Sequence, residues 1–162
     1  MFEEAGNPER IEQWRGNIPI HHRYTVGVAG QRFFAALRDE KVILASECVG
    51  CGDRFLLPKI YCEWCFVDTP DWSPVRGSGY VKTFTLIHRD LDEEALEEPV
   101  AAAVIGWEGV RGGIVHRLGG TDLAQIRTGL AVEPQWREVR TGGIGDILFF
   151  KPVDRPFHRG GG

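Results

Sequence analysis

The chain has 162 residues, 43% of them hydrophobic, with a formal charge of -4 and a sequence pI near 5.7. That length and apolar content allow a real core, in one domain or two small ones, and exclude a disordered protein. The acidic balance gives no global attraction to nucleic acid, whose binding neutralises phosphates, and no apolar run approaches the roughly 20 residues that span a bilayer.

Residues 1–40 read as an arm followed by a helix. Pro8 and Glu9 can open a short helix running to Trp14. Trp14, Ile18, Ile20 and Tyr24 are too apolar for a free tail, so the arm is expected to pack on its own domain or on a partner chain. His21-His22 reads as a surface pair, since no other ligand type accompanies it. From Gly30 to Asp39, GQRFFAALRD places Phe33, Phe34 and Leu37 on one face with Arg32 and Arg38 outside, the spacing of a short amphipathic helix.

Residues 41–75 hold all four cysteines. KVILASE reads as a strand that leads into CVGCGDRFLLPKIYCEWC, where Cys48, Cys51, Cys62 and Cys65 form two C-x2-C pairs separated by ten residues. Each pair closes a tight knuckle that points both sulfurs the same way, so four thiolates can converge tetrahedrally on one ion. Gly52 supplies the positive φ that the first knuckle needs. Zinc is the expected occupant and iron in a rubredoxin-like site the competitor. Two disulfides would need an oxidising compartment, and the N-terminus shows no charged-then-apolar leader, which predicts a cytoplasmic protein. A site with four protein ligands keeps no position open for water and is expected to be structural. RFLLPK reads as the ribbon's short strand, with Pro58 on an edge, and DTPDWSPVRGSG as a turn-rich linker ending the ribbon near residue 75.

Residues 76–155 give a run of strand signals. YVKTFTLIHRDL alternates, with Val81, Phe84 and Leu86 inward. The acidic stretch from Asp90 to Glu98 reads as a solvated loop. PVAAAVIGWE and VRGGIVHRL read as a hairpin turning at Glu108 and Gly109. TDLAQI reads as a short helix capped by Thr121 or Asp122, and AVEPQWREVR and DILFFKPV as two more strands. Five strands with a short helix between the third and fourth predict an OB barrel. Residues 156–162 read as a flexible tail. The fold class is thus mainly β: arm and helix, four-cysteine ribbon, five-stranded C-terminal barrel.

This order of parts, carried by GQRFFAALRD, the cysteine block, RGSGYVKTFTLIHR and LAQIRTGLAVEPQW followed by DILFFKP, resembles the zinc-ribbon plus OB-fold accessory proteins of acyl-CoA enzymes. YTVGVAGQRFF is similar to the subset that pairs with a thiolase or a hydratase-type enzyme. The resemblance covers about residues 24–153. It implies a hetero-oligomer with a catalytic partner, a role in enclosing or admitting the CoA substrate, and no catalytic residue in this chain. Members commonly carry proline and glycine around the second knuckle, where this chain has Glu63 and Phe66, so a different local turn is expected there.

The residues agree that the chain lacks a catalytic centre of its own. Thiolysis needs a nucleophilic cysteine and a histidine base, and every cysteine is committed to the metal. His88 and His116 fall on strands without a motif. Gly112-Gly113, Gly119-Gly120 and Gly142-Gly143 lack the pattern of a phosphate loop and read as turns and bulges. If CoA phosphates touch this chain, Lys59, Arg76, Lys82 and Arg89 flank the ribbon-to-barrel joint, and ordinary solvated charge is the plainer account of each. Two other readings stand beside the thiolase subunit. One is an accessory subunit of an enoyl-CoA hydratase-like enzyme; the other is a nucleic-acid module that would stack bases on Phe84, Trp107 or Trp136.

Overall fold

The computed structural model of the protein describes residues 24–154. The expected helix at Pro8–Trp14, the His21-His22 pair, the packing of Trp14, Ile18 and Ile20, and the tail at 156–162 lie outside the described residues. Tyr24, at the end of the arm, is exposed.

The helix forms where its apolar spacing puts it, and it runs longer than expected, as α1 at Gly27–Glu40. It buries Phe33, Ala36 and Leu37, and Lys41 ends it in the left-handed conformation, with the Lys41 backbone N–H returned to the Ala36 carbonyl.

Two antiparallel-based sheets follow. The first has four strands in the order β3-β1-β2-β6: β1 is Leu44–Glu47, β2 Arg54–Phe55, β3 Asp71–Pro74 and β6 Val110–Arg111. Three sequence expectations change here. The strand expected over RFLLPK stops at Phe55, because Leu57 takes a positive φ of 32° and turns the chain away. The stretch expected to be a linker supplies β3, whose Leu44↔Pro74 to Glu47↔Asp71 register extends β1. The hairpin expected to turn at Glu108 and Gly109 makes a longer excursion. Its tip, β6, leaves the barrel and pairs parallel with β2, Arg54 opposite Val110.

The second sheet has five strands in the order β7-β5-β4-β8-β9: β4 is Gly79–Arg89, β5 Ala95–Gly106, β7 Ile114–Arg117, β8 Ala131–Trp136 and β9 Ile147–Pro152. A parallel bridge between Leu118 and Phe150 joins the outer strands. With a 3-10 turn at Leu123–Gln125 capped by the Asp122 side chain, this is the predicted five-stranded OB arrangement. Val81 and Phe84 both face inward although three positions apart, because the pairing with β5 slips at Lys82 and bulges the strand. The acidic stretch is only partly a loop: it turns at Asp90–Glu94, where the Asp90 carboxylate accepts the Asp92 and Glu94 backbone N–H groups, and Ala95–Glu98 already belongs to β5.

A single hydrophobic cluster runs from Phe33 and Leu37 of α1 through Ile43 and Leu56 of the ribbon to Val81, Ile105, Trp107, Val132 and Phe150 of the barrel. The β6 excursion fastens this joint. Leu56 N–H donates to the Arg111 carbonyl at 2.8 Å, and Arg111 meets Asp53 at 2.8 Å. Gly112 approaches so closely that a Cβ there would lie 2.7 Å from the Leu56 carbonyl oxygen. The ribbon therefore cannot move without disturbing the barrel's second and third strands. Among the described residues, no helix is long and apolar enough to cross a membrane.

Candidate metal centre

The two knuckles that carry the cysteines are built alike. In the first, Cys48 N–H donates to the Asp53 carbonyl at 2.9 Å, and Gly52 N–H to the Cys48 carbonyl at 2.8 Å. In the second, Cys62 N–H donates to the Val67 carbonyl at 2.8 Å, and Phe66 N–H to the Cys62 carbonyl at 2.9 Å. The different turn expected at Glu63 and Phe66 does not occur. Phe66 occupies the position of Gly52 and takes the same left-handed backbone, φ 54° against 73°.

All four cysteines are unpaired thiols, and their Sγ atoms lie within 4.8 Å of one another, Cys51 and Cys62 at 4.0 Å. Four sulfurs bonded to zinc at about 2.3 Å would stand about 3.8 Å apart. The donor set and its spacing therefore fit a tetrahedral ion, and the cluster could hold one. Cys48 and Cys62 are buried, and Gly50 N–H points at the Cys48 sulfur at 3.3 Å, a donor suited to a thiolate ligand.

The electrostatics point the same way. The backbone N–H of Cys51 pulls the Cys48 thiol down to about 7 against the effect of burial. Its neighbours resist ionising beside it. Cys65 is pushed up to about 12, first by its hydrogen bond with Cys51 and then by burial and Cys48. Cys51 is also raised: the Asp53 N–H lowers it, but burial and Cys48 together outweigh that pull. Four thiols this close cannot all ionise without a cation among them, and a divalent ion would displace their protons.

The segment between the knuckles is fixed by two buried hydroxyls. Ser46 Oγ on β1 accepts from the Lys59 N–H at 2.9 Å, and Thr69 Oγ1 donates to the Lys59 carbonyl. Replacing Ser46 by Ala leaves that amide without its partner and is expected to lower stability by about 1–2 kcal/mol, read as an earlier urea midpoint at unchanged slope.

The other residues singled out in the sequence do not converge. Lys59 pairs with Glu63 at 2.7 Å and lies over the Phe55 ring. Arg76 is exposed between β3 and β4. Lys82 donates to the Gly112 carbonyl at 3.2 Å, at the β6 excursion. Arg89 is held at the far end of β4 by the Glu93 carbonyl; seven positions of extended strand put it about 20 Å from Lys82. His116 packs edge-on against Phe150, and His88 is exposed. The aromatics considered for base stacking are core: Trp107 is buried, and Phe84 and Trp136 pack against the main cluster. The cleft on the barrel's outer face across β4, β5 and β7 is lined by Thr83, Thr85, Ala102, Val104 and Val115, and Tyr80 and Lys82 lie against Gly106 further along β5.

Sequence reasoning passed over Asp146. It is buried, and its carboxylate accepts backbone N–H groups from Thr141 at 2.8 Å, Gly142 at 2.8 Å and Gly143 at 3.3 Å. An aspartate in a glycine-rich loop ahead of a strand was the only local sign of it.

Fold and site together define an OB-barrel protein carrying a four-cysteine ribbon. Residues 72–137 match the family model for the C-terminal OB-fold domain of ChsH2. Among solved structures, the chain is similar to a DUF35-family protein of unknown function from Sulfolobus solfataricus. The two share 29% identity over 67% of this chain and 78% of that one, with a TM-score of 0.59. It also shares its fold with a chain of the Ltp2-ChsH2(DUF35) aldolase, at 22% identity over 80% of this chain and 98% of that one, TM-score 0.60. A search of curated proteins returns no match.

Proposed function

We propose that this chain is a non-catalytic, zinc-holding subunit that binds a thiolase-type enzyme and helps its acyl-CoA substrate reach the shared active site. The observation that carries the reading is the closed cluster of Cys48, Cys51, Cys62 and Cys65. It takes up every thiol of a chain whose barrel matches the ChsH2 OB domain, so no nucleophile is left for thiolysis. The four cysteines are the ligands and zinc the ion, with iron as the competitor that metal analysis separates. Zinc here supplies folding energy and no reaction step. The name of the Ltp2-ChsH2(DUF35) aldolase, an assembly joining a DUF35 protein to another chain, supports a hetero-oligomer.

A narrower form of the reading takes the acyl group to be 2-benzoylsuccinyl. The same residues that carry the family resemblance are similar to the small subunit of the thiolase that cleaves 2-benzoylsuccinyl-CoA in anaerobic toluene breakdown. We place the CoA phosphates beside Lys59, Arg76 and Lys82, three of the four cations that flank the ribbon-to-barrel joint in the sequence, and leave Arg89 out because of its distance.

Co-purification from the chain's own host, with the partner identified by mass, distinguishes a thiolase from a hydratase-like enzyme. The reconstituted thiolase is expected to lose activity or solubility when this chain is omitted; a partner fully active and soluble alone overturns the proposal. In the complex, Lys82→Glu with Lys59→Glu is expected to raise the apparent KM for acyl-CoA about 10-fold, the loss of roughly one charge-assisted contact. An unchanged KM removes those cations from the substrate site.

A further inference from the structure

The second knuckle carries a feature that folding alone does not explain. Phe66 sits in the left-handed backbone region at φ 54°, where the first knuckle uses Gly52, and its side chain is 83% exposed. A left-handed backbone costs any residue with a Cβ, and glycine would adopt it freely. An exposed ring gains little burial in return. Two positions away, Trp64 is 66% exposed, and Tyr61, Val67 and Val49 of the adjoining turns are exposed as well. Gly50, next to Val49, lies against Cys65 and Val67, which puts the turn of the first knuckle beside the second.

We propose that the tip formed by Trp64 and Phe66 is the anchor by which this chain docks into an uncharged, apolar pocket on its catalytic partner. The inference rests on the reading of the chain as a subunit and adds the surface that makes the contact. Exposed aromatics clustered on a rigid element are the usual anchors of protein interfaces, and tryptophan is prominent among them. Strain held at an exposed side chain is characteristic of positions that act outside their own fold.

The chemistry around the tip selects this occupant over others. Its charged neighbours are Glu63, Asp68 and Lys59, and Lys59 is already paired with Glu63 at 2.7 Å. Nucleic acid stacked on these rings would need cations to follow the phosphates, and an anionic membrane surface would need the same. A second copy of the chain would need a concave acceptor. Among the described residues, the clefts beside Trp107 and Trp136, about 160 Å³, and on the barrel's outer face, about 200 Å³, are open to solvent and offer no walled pocket for two rings.

The test uses the zinc-loaded full chain and the thiolase-type subunit that co-purifies with it, with affinity measured by titration calorimetry. Phe66→Gly removes the ring while relieving the backbone, so its melting temperature should be unchanged or higher. Its affinity should fall about 30-fold, and that of Trp64→Ala about 100-fold. Val115→Lys, on the barrel's outer face, should change affinity by less than about 3-fold. Tip variants that bind as tightly as the parent overturn the inference and leave the subunit reading standing. Failure of the parent chain to bind any catalytic subunit overturns both. The inference is also overturned if the parent forms dimers, or binds phosphatidylserine vesicles, and Phe66→Gly abolishes that behaviour.

Discussion

Removing the metal with a chelator, or replacing Cys48 by Ser, is expected to melt the ribbon and leave the barrel folded. The ribbon has almost no core of its own. Its buried cluster is Cys48, Phe55 and Cys62, with Cys65 packed against it, so three of the four members are cysteines of the candidate metal cluster. A structural zinc contributes on the order of 10 kcal/mol in comparable small modules, as much as the whole stability of a typical domain. One phenylalanine cannot replace that. The barrel supplies most of the shared main cluster, from Val81 to Phe150, and retains that part. Hydrogen exchange should therefore show protection lost across β1, β2, β3 and β6 and kept in β4, β8 and β9. The joint should report the loss as well, because β6 lies inside the connection between β5 and β7 and pairs with β2. Protection of β1 to β3 that survives chelation would show that the cysteine cluster does not organise the ribbon.

The second large effect is expected at Asp146. Its carboxylate closes the loop at residues 141–146 by accepting three backbone N–H groups. That loop in turn holds α1, since Arg140 donates to the Arg38 carbonyl at 2.6 Å and the turn at Ile144–Asp146 packs on the helix. Hydrogen bonds to a charged acceptor contribute about 1.5–3 kcal/mol each, and some of the freed amides can turn to water, so Asp146→Ala should cost about 3 kcal/mol in total. For a chain of this size that is a fall of about 10 °C in melting temperature. The pH dependence has a definite sign. Burial raises the Asp146 pKa, but the N–H groups of Thr141, Gly142 and Gly143 pull it down further, and the net result is below 3.8. A carboxylate depressed in the folded state contributes stability above its unfolded pKa and loses it as pH falls through the folded value. The gap between parent and Asp146→Ala should be full at neutral pH and shrink only below about pH 4. A gap constant down to pH 2 would show that the carboxylate's charge is not what holds the loop.

What could be read from the sequence was what local spacing encodes. The two C-x2-C pairs, the amphipathic face of Phe33 and Leu37 and the alternation along β4 each announce their structure within a few residues. What escaped was made by distant pairing. Asp71–Pro74 has two prolines close by and poor strand propensity, and it becomes β3 because the edge of β1 offers it hydrogen bonds. Val110–Arg111 looks like the rest of a hairpin, and its partner is Arg54–Phe55, some way back in the chain. Phe66 misled for a related reason. A turn lacking glycine is expected to differ, yet bringing four sulfurs together imposes the same knuckle twice. Nearness along the chain groups Lys59, Arg76, Lys82 and Arg89, and the length of β4 separates Arg89 from the rest.

The most direct test is native mass spectrometry of the tagged chain isolated from its own host without chelator. The expected result is one zinc ion per 18.1 kDa chain, in a complex with a thiolase-type subunit from which the chain releases as an intact zinc protein. A chain that carries no metal, or that is isolated alone under conditions where the thiolase remains soluble and active, would contradict it.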